Sequence, residues 1–419
     1  MHTGTQELAG VTTENTQQAG CPERSSPPML PLAFAGACAF MNLFSTQPIL
    51  PLLADLFHAS KLGVSLTVTA PTIAVGLAAP VLGRLSDRWG RKRTISWAAL
   101  LLSLFTLLSA SSTSLGQLIA WRFLQGIFTP GVFSVAVAYV NEEWPASRVG
   151  HAMAVFGTGG IIGSCFGRTM SGVIASHWSW RWGLLVLGIV NLAWSLLLIR
   201  LLPREKKFTA AHPASSISLL GDHLRNRPLL ATYAVGFCIM FSMLALFTYV
   251  NFHLAAAPYF LDSAALGFIF LVYLVGGVIT PVAGRGLDKL GLRNAQLAAV
   301  AVAVAGVLLT LGRPLFVIVV GLAVFSSASF IIQAAANSHV GRVVEHSQAL
   351  ASGMYASFYY AGGCMGSVVP AWLWNLGGWT ACVWLIVGVQ ILSGTAGFVF
   401  WTRRQPAEAG MEEIGRFGV

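Results

Sequence analysis

The sequence predicts an all-α membrane protein, with twelve transmembrane helices arranged as two homologous six-helix halves. Three observations predict it: an apolar excess that no water-soluble core explains, twelve apolar runs of membrane-spanning length, and a motif that recurs half a chain apart.

The composition comes first. In 419 residues, 55% are hydrophobic, only 10% are charged, 44 are glycine, and the mean hydropathy is +0.71. Such a chain has too little polar surface to clothe a soluble fold, so lipid is its solvent. The net charge of +10 does not point to nucleic acid, because the basic residues sit in short clusters between apolar runs and form no basic domain. Cys21, Cys38, Cys165, Cys238, Cys364 and Cys382 are widely spaced, without CxxC or paired histidines, and read as free thiols used as small apolar residues.

Twelve apolar runs follow, at about 31–53, 64–83, 94–112, 116–140, 150–176, 180–202, 229–252, 264–284, 295–312, 314–338, 350–373 and 379–401. Each approaches the roughly 20 residues needed to cross a hydrocarbon core. Lipid leaves only helices and closed barrels as options, and these runs lack the two-residue alternation of barrel strands. Residues 1–28 are polar and rich in Thr, Gln, Ser and Pro, and read as a disordered tail. The polar, basic stretch 203–228 reads as a linker between the halves 29–202 and 229–402, and 403–419 as a second tail.

Orientation follows from the basic residues of alternate loops. With the N-terminus inside, that side holds 20 of the 25 Lys and Arg, the outer side holds Lys61, Arg181 and Arg313, and Arg122 and Arg168 lie within spans. Both termini are therefore expected in the cytoplasm.

Part of the inner charge is concentrated in "GRLSDRWGRKR" (83–93), which has five positive charges and one negative. A topology signal explains the positive charges, but not the acid or the glycines. The pattern recurs in "GRGLDKLGLR" (284–293), matching Gly83 to Gly284, Asp87 to Asp288, Gly90 to Gly291 and Lys92 to Arg293 at an offset of 201 residues. A second pair, "GHAMAVFGTGGIIGS" (150–164) and "GMYASFYYAGGCMGS" (353–367), repeats at an offset of 203. Two matches at nearly one spacing mean two homologous halves.

These residues resemble the major facilitator superfamily over about 30–402. Its loop signature between the second and third helices is matched at Gly83, Leu85, Asp87, Arg88, Gly90, Arg91 and Lys92. Three further stretches look like the twelve-helix drug:proton antiporter branch: "MNLFSTQPILP" (41–51), with Asn42 in place of a glycine; "RFLQG" (122–126); and "GHAMAVFGTGGIIGSCFGR" (150–168). The last keeps Gly150, Gly159, Gly163 and Gly167 of the antiporter motif but has Ser164 for its proline and Arg168 for its last glycine. The wording "GRTMSG" before "WSWRW" is similar to bacterial inner-membrane transporters of the YnfM type. The resemblance implies a secondary active transporter in the bacterial inner membrane. It would export a small organic molecule by alternating access and proton antiport, with no cofactor, the proton gradient as energy source and a monomeric state. A uniporter or importer on the same fold, or a non-transporting receptor or sensor, remains open. No nucleotide loop, metal cluster or catalytic triad appears, so an enzyme is not expected.

Candidate residues fall into three groups. Cytoplasmic gating is expected from Gly83, Asp87, Arg88, Gly90, Arg91, Lys92, Gly284, Asp288, Gly291 and Arg293. By symmetry and the family pattern, Asp87 would meet the start of the eleventh span near Leu350, and Asp288 the start of the fifth near Gly150. The basic residues would pair with acids such as Glu142 and Glu143. Close packing is expected from Gly150, Gly159, Gly163, Gly167, Gly362 and Gly366, on faces at the boundary between the halves, because small residues let helix backbones touch in lipid.

The substrate cavity is expected to include Asn42, Gln47, Arg122, Gln125, Arg168, Asn251, Gln333 and Asn337. Intramembrane charges point to sites because burial is costly. Arg122 and Arg168 lie at similar depth, with room to share a pocket, and all fifteen acids lie in tails, loops or helix ends. An anionic substrate would neutralise them; alternatively backbone carbonyls do so, and the cargo is a lipophilic cation. His339 reads as an interfacial residue.

Overall fold

The computed structural model describes residues 28–205, 225–279, 290–343 and 348–401. The predicted tails, most of the linker, and the loop bearing Gly284 and Asp288 lie outside the described residues.

The helices are α1 (Leu30–Met41), α2 (Leu50–Leu56), α3 (Lys61–Trp89), α4 (Arg91–Ala110), α5 (Leu115–Glu143), α6 (Ala146–His177), α7 (Trp180–Leu201), α8 (Arg227–Ala255), α9 (Ser263–Ile269), α10 (Leu292–Leu309), α11 (Leu315–Val343) and α12 (Gln348–Phe400). Among the described residues, nine of these helices are long and apolar enough to cross a membrane. Ser60, Ser114, Asn226 and Asp262 accept hydrogen bonds from the amides of Gly63, Gln117, Leu229 and Ala265, so each otherwise unpaired first turn is satisfied.

Three places differ from the predicted spans; in one, the eighth, turn residues Phe270 and Leu271 interrupt the helix after Ile269. The first span is broken: α1 ends at Met41, residues 42–46 turn, a single 3-10 turn covers Gln47–Ile49, and α2 resumes at Leu50. Pro48 and Pro51 lack the amides a continuous helix would use, so the break falls where proline makes it cheapest. The eleventh and twelfth spans form one run, α12, turned at Gly377 and Gly378; Gly378 has φ +61, which glycine adopts at no steric cost.

The internal repeat is visible in the backbone. Gly90 and Gly291, aligned in the two loops, both have positive φ (+92 and +77), and each separates a helix from the next one. The packing repeats as well. A Cβ on Gly159 or Gly163 would lie 2.2 Å from the Ala33 carbonyl oxygen or 2.6 Å from the Ala37 Cα of α1. Their counterparts Gly362 and Gly366 stand equally close to the Phe237 and Phe241 carbonyl oxygens of α8, at 2.1 and 2.2 Å. These glycines hold α6 on α1 and α12 on α8, inside each half. That corrects the expectation of faces at the boundary between the halves; across the boundary, Gly172 on α6 and Gly267 on α9 make the close approach instead.

Candidate functional site

Contacts between the halves run along one side of the bundle's depth. From the end opposite the basic loops inward, Lys61 sits over the Phe252 and Trp374 rings, Ser176 donates to Asp262, Thr169 donates to the Gly267 carbonyl at 3.1 Å, and Thr69 and Ser367 share a hydrogen bond of 2.7 Å. Phe133 and Tyr360 meet nearer the middle. At the basic end, added Cβ atoms on Gly83, Gly150 and Gly353 would meet open space. Among the described residues, the contacts named between the halves lie at the far end and in the middle.

Within the contact region between the halves lies Arg168, 2% exposed. Its Nε donates to Gln47 Oε1 at 2.8 Å, and its Nη1 donates to the Ser164 carbonyl at 3.2 Å and to the Ser164 hydroxyl. The guanidinium carbon is 5.0, 4.8 and 5.1 Å from the ring centres of Phe44, Phe270 and Tyr273. Phe44 belongs to the same half, whereas Phe270 and Tyr273 belong to the other. Ring faces are negative, and out of water such contacts stabilise a cation by up to about 2 kcal/mol. Among the described residues, none of its hydrogen bonds uses Nη2. Gln47 extends the link, since its Nε2 donates to Thr248 on α8 at 3.2 Å.

Arg122 is different. It is fully buried, and its donors are spent on the framework: Nε to the Thr67 carbonyl at 3.1 Å, Nη1 to the Asn42 carbonyl at 2.6 Å and to Gln125, and Nη2 to the Leu43 carbonyl at 2.6 Å. The Thr67 and Leu43 carbonyls are ones that a proline or the helix break leaves short of a helical donor, while the Asn42 carbonyl also accepts from the Ser45 amide at 3.3 Å. Pro71, four residues beyond Thr67, has no N–H, and Asn42 and Leu43 are in the broken segment. The expectation of Arg122 and Gln125 in the cavity wall is corrected: both face away, with Gln125 also donating to Thr106 at 2.6 Å. The two arginines do not share a pocket; they grip opposite sides of the same break. Among the described residues neither has a carboxylate partner.

The other predicted cavity residues divide likewise. Asn42 and Asn251 are fully buried, and Asn251 donates to the Phe247 carbonyl of its own helix at 2.6 Å. Gln333 is half-buried and faces the Tyr355 hydroxyl, while Asn337, one turn nearer the basic end, is exposed. His339, expected at an interface, is buried. Its Nδ1 shares a hydrogen bond of 2.8 Å with Thr232, and its ring stacks on Trp401 at 4.4 Å.

In the loop motif, Arg91 bridges Asp87 at 2.6 Å and Glu142 at 2.6 Å, tying α3, α4 and α5 together. Among the described residues, Asp87 thus spends its charge on Arg91, one turn along, rather than on the start of α12. Arg88 is exposed, and Arg293 lies 4.1 Å from the centre of the Phe398 ring. Sequence reasoning missed Phe44, Phe270 and Tyr273. The available signal was a buried arginine with no acid to meet it, which calls for π faces.

The family model described as Major Facilitator Superfamily matches residues 32–367. The chain is 32% identical over 362 residues to the uncharacterized MFS-type transporter YybF of Bacillus subtilis, covering 86% of this chain and 89% of that one. It is 32% identical over 373 residues to the inner membrane transport protein YnfM of Escherichia coli, covering 87% and 89%. Among solved structures it resembles the nucleoside transporter NupG, with a TM-score of 0.74 at 13% identity over 89% of this chain and 100% of that one. It also resembles a bacterial homologue of the human lysosomal transporter Spinster in an inward-facing, unoccupied conformation, with a TM-score of 0.70 at 13% identity over 90% and 98%. With the broken first span, the repeated loop glycine and the paired glycine faces already placed, these matches establish that the chain is a membrane transport protein of the major facilitator superfamily.

Proposed function

We propose that the protein exports a small organic anion across the bacterial inner membrane, by alternating access and in exchange for protons. The observation that carries this reading is Arg168. It is a buried cation with no carboxylate partner among the described residues, held between rings of both halves, with Nη2 outside the hydrogen bonds found there. With the basic end in the cytoplasm, as the loop charges favour, an anion enters from inside and meets the guanidinium. A carboxylate or phenolate there offsets the burial cost and can accept two parallel bonds. Parting Phe270 and Tyr273 from Arg168 then opens the outer side. As carriers of a coupled proton, Glu142 is committed to Arg91 and Asp55 is exposed at the far end. That leaves the substrate's own acid, or His253, stacked on Trp379 at 5.4 Å.

The test is a binding titration of purified protein with salicylate and with tetraphenylphosphonium. Arg168→Ala weakens the anion at least tenfold, and Arg168→Lys keeps part of the affinity, since it retains charge but loses the planar fork. Unchanged salicylate affinity, or tight binding of the cation alone, would remove the anion reading.

A further inference from the structure

A pocket away from Arg168 lies on the outer wall of the first half, between the start of α4 and the end of α7. It encloses about 730 Å³ and carries Lys92, Arg93 and Arg204 at its rim. Its floor is apolar, made by Trp97, Leu100 and Ile199. Trp97 and Trp89 are 53% and 54% exposed on this wall, at the level where aromatic side chains mark the membrane interface.

The charges at the rim are not used by the fold. Glu205 is the acid in the pocket, and its carboxylate is turned to the α4 N-terminus, where it accepts from the Lys92 amide at 3.3 Å. The ion pairs of the neighbouring loop belong to Arg91. Among the described residues the side chains of Lys92, Arg93 and Arg204 have no carboxylate partner; Arg93 leans on the Trp89 ring at 5.9 Å. Three positive charges against Glu205 leave the pocket at +2, directly above an apolar slot that continues toward the hydrocarbon.

We propose that this pocket binds an anionic phospholipid of the adjoining leaflet. The phosphodiester would sit among Lys92, Arg93 and Arg204, and an acyl chain would lie along Trp97, Leu100 and Ile199. A free phosphate would satisfy the rim but not the slot, and a zwitterionic lipid would fill the slot while bringing its own cation to a basic rim. Because Arg91, next to Lys92, ties α3 to α5, an occupied pocket braces the loop motif from its lipid side.

The test uses the full-length protein in detergent, titrated with tail-labelled phosphatidylglycerol or phosphatidylcholine and read by fluorescence anisotropy. Phosphatidylglycerol should bind at least tenfold more tightly. Arg93→Gln and Arg204→Gln should each weaken it about fivefold and together about twenty-fivefold, as expected for charges at a membrane surface. Arg313→Gln, on a distant loop, should leave it unchanged. On the unaltered protein, added salt should weaken phosphatidylglycerol and not phosphatidylcholine, a reading that does not depend on how the variants fold. Equal affinity for the two lipids, no effect of the substitutions, an equal effect of Arg313→Gln, or a flat salt response would overturn the proposal. Displacement by equimolar inorganic phosphate would make it a phosphate site instead.

Discussion

Replacing Arg122 by Met separates a structural arginine from a ligand-binding one. The guanidinium supplies donors to the carbonyls of Thr67, Asn42 and Leu43, and Met supplies none. Asn42 keeps another partner, the Ser45 hydroxyl at 3.0 Å. Leu43 and Thr67 lose their guanidinium donors in a dry interior, at about 1–3 kcal/mol each. Relief from burying a cation offsets part of this. The net loss is about 2–4 kcal/mol, or roughly 10 °C in the unfolding midpoint on the scale of a six-helix half. A thiol-reactive dye reads the transition, because Cys38, Cys165, Cys238 and Cys382 are buried until the bundle opens. The cause is checked by Pro71→Ala, which returns an N–H within reach of the Thr67 carbonyl. In the Arg122→Met background it should recover about 1 kcal/mol, the net worth of one hydrogen bond. An unchanged midpoint in Arg122→Met, with anion binding lost, would refute the brace and return Arg122 to the cavity.

The remaining predictions concern packing, pH, gating and topology. Gly167→Ala places a Cβ 1.8 Å from the Met41 carbonyl oxygen and should destabilise by about 1–3 kcal/mol, whereas Gly157→Ala, one helix face away in open space, should be neutral or slightly stabilising by thermal unfolding. Asp262 accepts from Ser176 across the halves and from the Ala265 amide, which hold its carboxyl below the ordinary range. A depressed folded value means that this contribution is complete above the unfolded value of about 3.9 and is lost as pH falls through the lower folded one, so Asp262→Asn should flatten the stability profile below about pH 4. Asp87→Asn should lower transport in vesicles while expression and folding hold; full transport in Asp87→Asn combined with Asp288→Asn would leave the loop a topology signal alone. Reporters fused after Lys61, Arg181 or Arg313 should report the outer side and those after Arg93 or Arg227 the inner side, and an odd number of crossings between the sets would break the twelve-helix topology.

The sequence by itself determined the solvent, the number of spans, the two-fold repeat and the family. Each is written in local chemistry. Apolar run length is set by bilayer thickness, and the repeated Gly90 and Gly291 are needed wherever the backbone must adopt positive φ between helices. The two intramembrane arginines were also visible, because charge inside an apolar run needs no structure to be noticed. Their roles were not. Whether a buried guanidinium serves a ligand or the framework depends on which carbonyls lack donors near it, and that followed from where Pro71 and the break at residues 42–46 fall in space. The aromatic cage of Arg168 joins Phe44 to Phe270 and Tyr273, more than 200 residues apart, and no spacing in the chain encodes that meeting. Of the glycines expected to pack closely, Gly150 meets open space, and only the tertiary structure decided that α6 rests on α1 through Gly159 and Gly163 and α12 on α8 through Gly362 and Gly366. Small residues specify how near two backbones can come, and the rest of the bundle decides which two.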